Sequence, residues 1–137
     1  MSNTPSEWLY ALTQELPSVG WRELFTKYRG ELNVIAQSLN DIEYYSLQQN
    51  IFRAFALTPL EDLKVIIVGQ DCYYTTQQNI PIATGLAFDI GHCEDGKEYK
   101  IPSSLKNIYK EIKNSYPDYK ISEHGNLSSW ASRCITY

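Results

Sequence analysis

Residues 64–74, Lys-Val-Ile-Ile-Val-Gly-Gln-Asp-Cys-Tyr-Tyr, decide how this chain is read. Val65, Ile66, Ile67 and Val68 form an unbroken β-branched run, which predicts a short strand buried on both faces, as in a parallel sheet. The run stops at Gly69-Gln70-Asp71. Open α/β sheets bind their ligands at the carboxyl ends of strands, so Asp71 is expected at the mouth of a cleft walled by Tyr73 and Tyr74.

Working outward, 137 residues with 43% apolar content fit one domain with its own core. No apolar run approaches membrane-spanning length, and Met1 to Glu7 lacks the pattern of a signal peptide. Cys72, Cys93 and Cys134 are too scattered for a disulfide framework and lack the paired spacing of a zinc site. Free thiols in a reducing, intracellular setting are expected, with no metal. The net charge of −4 is uneven: residues 1–95 hold 5 Lys/Arg against 12 Asp/Glu, and residues 96–137 hold 7 against 4. Lysines 97, 100, 106, 110, 113 and 120 supply most of the basic excess. On composition alone a solvated helix face is favoured over a phosphate-facing one.

Upstream of the strand, Thr4 to Leu39 reads as amphipathic helix broken at Pro17 and Gly20. Trp8, Leu9, Leu12 and Leu16 share one face, and Trp21, Leu24, Phe25 and Tyr28 another, so these aromatics are assigned to core. Ser6 and Ser18 are the expected caps. A third helix is expected over Glu31 to Asn40, and a docking segment over Asn50 to Phe55. Downstream, Thr75 to Thr84 reads as a surface loop, Gly85 to Ile90 as a short extended segment, and 91–100 as a loop or hairpin. Leu105, Ile108, Tyr109, Ile112 and Tyr116 recur at helical spacing, with Ser103 or Ser104 as cap and Pro117 as terminator. A helix start with a hydroxyl and nearby lysines also suits a phosphate. His124 to Ala131 reads as a turn and short helix, and Cys134 to Tyr137 as the start of a second parallel strand.

Four segments together resemble the uracil-DNA glycosylases. Gly69-Gln70-Asp71-Cys72-Tyr73-Tyr74 resembles that family's G-Q-D-P-Y-H motif, and Gly85-Leu86-Ala87-Phe88 its G-L-x-F segment. Pro102 to Glu111 is similar to its P-P-S-L-x-N-I-Y-K-E helix start, and His124-Gly125-Asn126-Leu127 with Trp130-Ala131 to its H-G-D-L-x-x-W-A stretch. The four occur in the family's order, from about Leu63 onward. The resemblance implies a three-layer αβα fold around a central parallel sheet, of which the N-terminal half is expected here. It implies one incomplete domain over 1–137, with a helical part over 1–60 and the first strand, active-site loop, helix and start of the second strand over 61–137.

The implied activity is hydrolysis of the N-glycosidic bond of uracil in DNA, the opening step of base excision repair. The target base must be extruded or already single-stranded. Asp71 matches the catalytic aspartate, which orients water and stabilises an oxocarbenium-like sugar. Gln70 matches a residue whose backbone meets the uracil edge. Tyr73 matches the ring that excludes a thymine methyl, and Phe88 the ring stacked on the extruded base. Ser104 matches a phosphate-holding serine. No cofactor is implied. The expected partner is uracil-containing DNA, with no membrane and a monomer when complete. The expected setting is nucleus or cytoplasm, with viral and organellar settings open.

Departures accompany the matches. Cys72 replaces the family's proline, Tyr74 a histidine, and Thr84 another histidine before Gly85. By alignment, the asparagine that reads uracil falls just beyond Tyr137, with the H-P-S-P histidine and leucine loop later still. These departures motivate a second reading, a glycosylase-derived protein that binds DNA or a partner with impaired catalysis. An unrelated α/β hydrolase using Asp71 accounts for residues 69–74 and leaves the other three segments without a task.

Overall fold

The computed structural model describes residues 5–39, 45–77, 79–91, 100–132 and 135–136, with backbone alone for residues 5–7, 77, 135 and 136. Three helices open it: α1 (Pro5–Gln14), α2 (Val19–Lys27) and α3 (Arg29–Ser38). Pro5 begins α1, where its fixed φ and missing N–H cost nothing. Ser6 therefore lies inside the helix and not at the cap position expected for it. Leu9 on α1 packs against Leu32 and Ala36 on α3, with Trp8, Phe25, Ile51 and Phe52 around them.

Ser18 caps α2 as expected, in extended conformation, its hydroxyl accepting the Trp21 N–H at 3.4 Å. The same oxygen accepts the Leu60 N–H at 3.2 Å and donates to Glu61 at 2.9 Å. Gly20 does not break the chain. It lies within α2, where an added Cβ would sit 3.0 Å from the Leu60 side chain. Trp21 donates its indole N–H to the Thr58 carbonyl at 2.7 Å, and Thr58 donates its hydroxyl to the Ala131 carbonyl at 2.6 Å. Trp21, Phe25, Phe52 and Phe55 meet in edge-on and tilted contacts with centroids 4.8–6.4 Å apart. The helical part is thereby fastened to α4 (Arg53–Leu57) and to the approach to the first strand.

That strand, β1 (Val65–Ile66), pairs in parallel with β4 (Ile135–Thr136), with Val65 opposite Ile135 and Ile66 opposite Thr136. The parallel pairing is as expected; the burial is not. Val65, Ile66 and Val68 are 51%, 57% and 82% exposed. The ladder is two residues long and has no further strand among the described residues to cover it. The apolar faces of the helices are buried instead in three clusters: Leu9 with Leu32 and Ala36, Ala54 with Leu86 and Ala131, and Leu105 with Tyr109 and Leu127.

Two further expectations need correction. The 75–84 loop contains a small antiparallel hairpin, β2 (Thr76–Gln77) with β3 (Ile80–Pro81), and Asn79 turns it at φ +63°. Its tail, Ile82 and Ala83, is buried. Residues 85–90 are not extended: Gly85 and Phe88 both have positive φ, so the segment curls on itself. Residues 92–99, with His92 and Cys93, lie outside the described residues, as does Cys134.

The last helices are α5 (Ser103–Ser115) and α6 (Ser128–Ala131). Pro102, not Ser103 or Ser104, occupies the cap position of α5 and offers no side-chain bond. The helix ends at Ser115, before Pro117, as expected. Leu105 and Tyr109 bury against Leu127, with Phe88, Ile101 and Trp130 packed alongside. No helix among the described residues is long and apolar enough to cross a membrane.

Candidate active site

Asp71 lies in the loop that leaves β1, exposed, with the Gln70 side-chain amide 3.3 Å from one carboxylate oxygen. Cys72 is a free, exposed thiol. The chain then folds back at Tyr73, whose ring is half-buried and whose hydroxyl lies 2.8 Å from that of Ser104 in the first turn of α5. Burial, opposed by the Ser104 hydrogen bond and reinforced by the Asp89 charge, pushes the Tyr73 phenol above its ordinary range. Tyr74 points to solvent, 75% exposed, so it does not form the cleft wall expected of it.

Phe88 reaches the same neighbourhood from the other side. It packs on the cluster of Leu105, Tyr109 and Leu127, which belongs to α5 and the start of α6. A Cβ on Gly69 would stand 3.9 Å from that of Ala87, so the Asp71 loop and the Phe88 turn are neighbours. Lys106, Lys110 and Lys113 on α5 are exposed. The structure thus joins Gln70 to Asp71 and Tyr73 to Ser104. It brings Phe88 in through shared packing on α5.

Beneath Phe88 lies a buried polar network. Asp89 is fully buried, and its carboxylate accepts from the Arg53 guanidinium at 2.9 Å, the Thr84 hydroxyl and the Leu127 backbone N–H. Arg53 also donates to the Ser128 hydroxyl at 2.6 Å and to the Thr84 carbonyl at 3.3 Å. Gly85 fits beside it because it has no side chain: a Cβ would lie 1.8 Å from the Asn50 carbonyl oxygen.

No family model matches the chain. Curated relatives do. A protein from Psychromonas ingrahamii named uracil-DNA glycosylase is 37% identical over 124 residues, 85% of this chain and 53% of that protein. One of the same name from Francisella tularensis subsp. novicida is 43% identical over 99 residues, 72% of this chain and 41% of that protein. The chain belongs to the uracil-DNA glycosylase family. It spans about half the length of the curated relatives it matches. Solved structures agree on the fold. A point variant of mimivirus UNG in complex with UGI gives a TM-score of 0.67 at 23% identity, over 94% of this chain and 49% of that one. Mimivirus uracil-DNA glycosylase gives 0.58 at 23% identity, over 94% and 44%. The fold is α/β.

Within this glycosylase fold, the departures from the family motifs acquire surroundings. Thr84, in place of a histidine, donates into Asp89 and lies 3.4 Å from the Leu86 N–H, which it accepts. His124, expected as a loop residue, is one: it is exposed, and its Nδ1 accepts the Asn126 N–H at 3.3 Å. Arg53 and Asp89 were not among the sequence candidates. Their signal was present as a lone arginine within the apolar run Ile51–Leu57 and a lone carboxylate within Leu86–Ile90. Charges so placed need partners.

Proposed function

We propose that the complete gene product excises uracil from DNA and that this chain supplies the hydrolytic and base-stacking part of the site. The observation that carries the reading is the 2.8 Å joint between Tyr73 and Ser104, which seats the Asp71 loop on the start of α5 beside Phe88. Asp71, a carboxylate at the end of a parallel strand, orients a water toward the anomeric carbon. As the bond to uracil breaks, positive charge grows on the sugar and Asp71 stabilises it. Phe88 offers the stacking surface for the extruded base, a contact worth about 1–3 kcal/mol. Tyr73 fills the space a thymine methyl needs, and the backbone of Gln70 meets the uracil edge. Ser104 and the free N–H groups of the α5 start take a DNA phosphate, with Lys106 close in sequence.

The substrate is then uracil-containing DNA, the protein acts as a monomer, and it works where DNA is, in nucleus or cytoplasm. Residues 1–137 contribute to a single glycosylase domain whose sheet is completed into the three-layer arrangement by further strands. The test is release of free uracil from a single-stranded uracil-containing oligonucleotide by the complete gene product. The unmutated protein is expected to release it, and Asp71→Asn to be slower by on the order of 10²-fold or more. Salt-dependent DNA binding with no uracil release, unchanged by Asp71→Asn, would overturn the enzymatic reading in favour of a DNA-binding protein.

A further inference from the structure

Phe88 has a backbone conformation that a bulky aromatic rarely adopts, with φ at +63°. Such residues persist where their surroundings over-determine them. Here the surroundings can be named. On the N-terminal side, Gly85 is pressed against the Asn50 carbonyl, which admits no other residue. On the C-terminal side, Asp89 is drawn inward by three donors from three separate segments: Arg53 of α4, Thr84 and the Leu127 N–H. The Asp89 N–H bonds the Leu86 carbonyl at 3.2 Å, and the Ile90 N–H bonds the Gly125 carbonyl at 3.1 Å. Phe88 lies between these two anchors, directly before Asp89.

We infer that the Arg53–Asp89 pair is a positioning device that holds the Phe88 ring at the stacking angle for an extruded base. The pair touches no substrate and acts through the ring. This rests on the reading of Phe88 as the base-stacking residue. An ion pair suits the task because its geometry is directional. The Arg53 guanidinium spans Asp89 and Ser128 with separate nitrogens, which ties the turn to α4 and α6 at once. A well-packed apolar pair would hold the segments together without fixing the rotation of the turn. Burial of the carboxylate makes the arrangement all-or-none, since loss of either partner strands a charge.

The test is a double-mutant cycle in the complete gene product, read as kcat/KM for uracil release from a single-stranded uracil-containing oligonucleotide. Asp89→Asn is expected to lower kcat/KM about tenfold, and Phe88→Ala to lower it at least as much. The double variant is then no worse than Phe88→Ala alone. Losses that multiply in the double variant overturn the positioning role, as does an Asp89→Asn protein that matches the unmutated one. If Asp89→Asn does not fold, Thr84→Ala takes its place in the cycle, removing one donor of three, with a several-fold loss expected only while Phe88 is present. A second readout uses the Asp71→Asn background, where uracil release is slowed enough for binding to be measured before the base is lost. There the preference for uracil over thymine should narrow with Asp89→Asn while the salt dependence of binding is unchanged. A parallel drop in both affinities marks a merely structural role. If Phe88→Ala releases uracil as fast as the unmutated protein, the stacking assignment itself fails, which separates that failure from failure of the pair.

Discussion

At Tyr73 the phenol oxygen lies 2.8 Å from the Ser104 hydroxyl while its ring is half-buried beside the Asp71 loop. A hydroxyl has one donor and two acceptor sites, so this bond leaves Ser104 able to meet the phosphate proposed for it. Burial raises the phenol above its ordinary value of 10.0, so the folded chain disfavours the phenolate. The resulting stability is fully present below the unfolded value and is lost as pH rises through the higher folded one. Urea unfolding between about pH 9 and about pH 11 should show this fall, and Tyr73→Phe should remove part of it. The part due to Tyr109, also raised by burial, remains. At neutral pH, Tyr73→Phe should cost about 1 kcal/mol through the lost hydrogen bond. An unchanged alkaline slope would mean the phenol is not buried as described. At this scale the position of Asp71 was legible in the sequence, because a carboxylate that follows a β-branched run and a glycine falls in the loop that leaves the strand. The Arg53–Asp89 pair was not, because 36 residues separate the partners and no periodicity reports which distant side chains meet.

Among the elements, the helices and the parallel β1–β4 pair were legible, and the β2–β3 hairpin and the exposure of β1 were not. Apolar spacing marks a helix over several turns, so α1, α2, α3 and α5 appear within a few residues of their expected limits. A two-residue strand carries no such period, and the Val65–Val68 run could not show how much would cover it. The α5 cap failed for a local reason. Proline before Ser103 takes the boundary position, which puts Ser104 inside the first turn and frees its hydroxyl for Tyr73. The α2 cap succeeded because Ser18 precedes the first helical residue and has three partners. Ser18→Ala is therefore expected to destabilise the chain by about 1–2 kcal/mol in chemical denaturation. Glu61 gives this joint an acid sensitivity. Its own backbone N–H, then the Ser18 hydroxyl, hold its carboxyl below the ordinary value of 4.5. That contribution is present above the ordinary value and is lost as pH falls through the folded one. Thermal melts taken on acidification should fall less steeply in Ser18→Ala than in the unmutated chain. Equal steepness would assign the acid response to other carboxylates.

For the molecule as a whole, four motifs in order were enough to name the family, since each must sit at a fixed place in one fold. What they could not convey is how the described half behaves by itself. Its three clusters bury helix faces against one another and against Leu86, Phe88 and Leu127, while Val65 and Ile66 of β1, and Val68 just beyond it, face solvent beside a two-stranded parallel ladder. Parallel ladders are ordinarily covered on both faces, and exposed apolar edges invite pairing with other chains. The isolated 137-residue polypeptide is therefore expected to associate with itself and to melt broadly. Sedimentation across a concentration series should show the association, and Val68→Lys should reduce it. Val68 is 82% exposed, so this substitution removes apolar surface without opening a cavity, and the melting midpoint should stay where it is or rise. Association that persists in Val68→Lys would place the sticky surface elsewhere. A sharp, concentration-independent melt of the unmutated polypeptide would mean the three helical clusters suffice for stability and the strand pair contributes little to it.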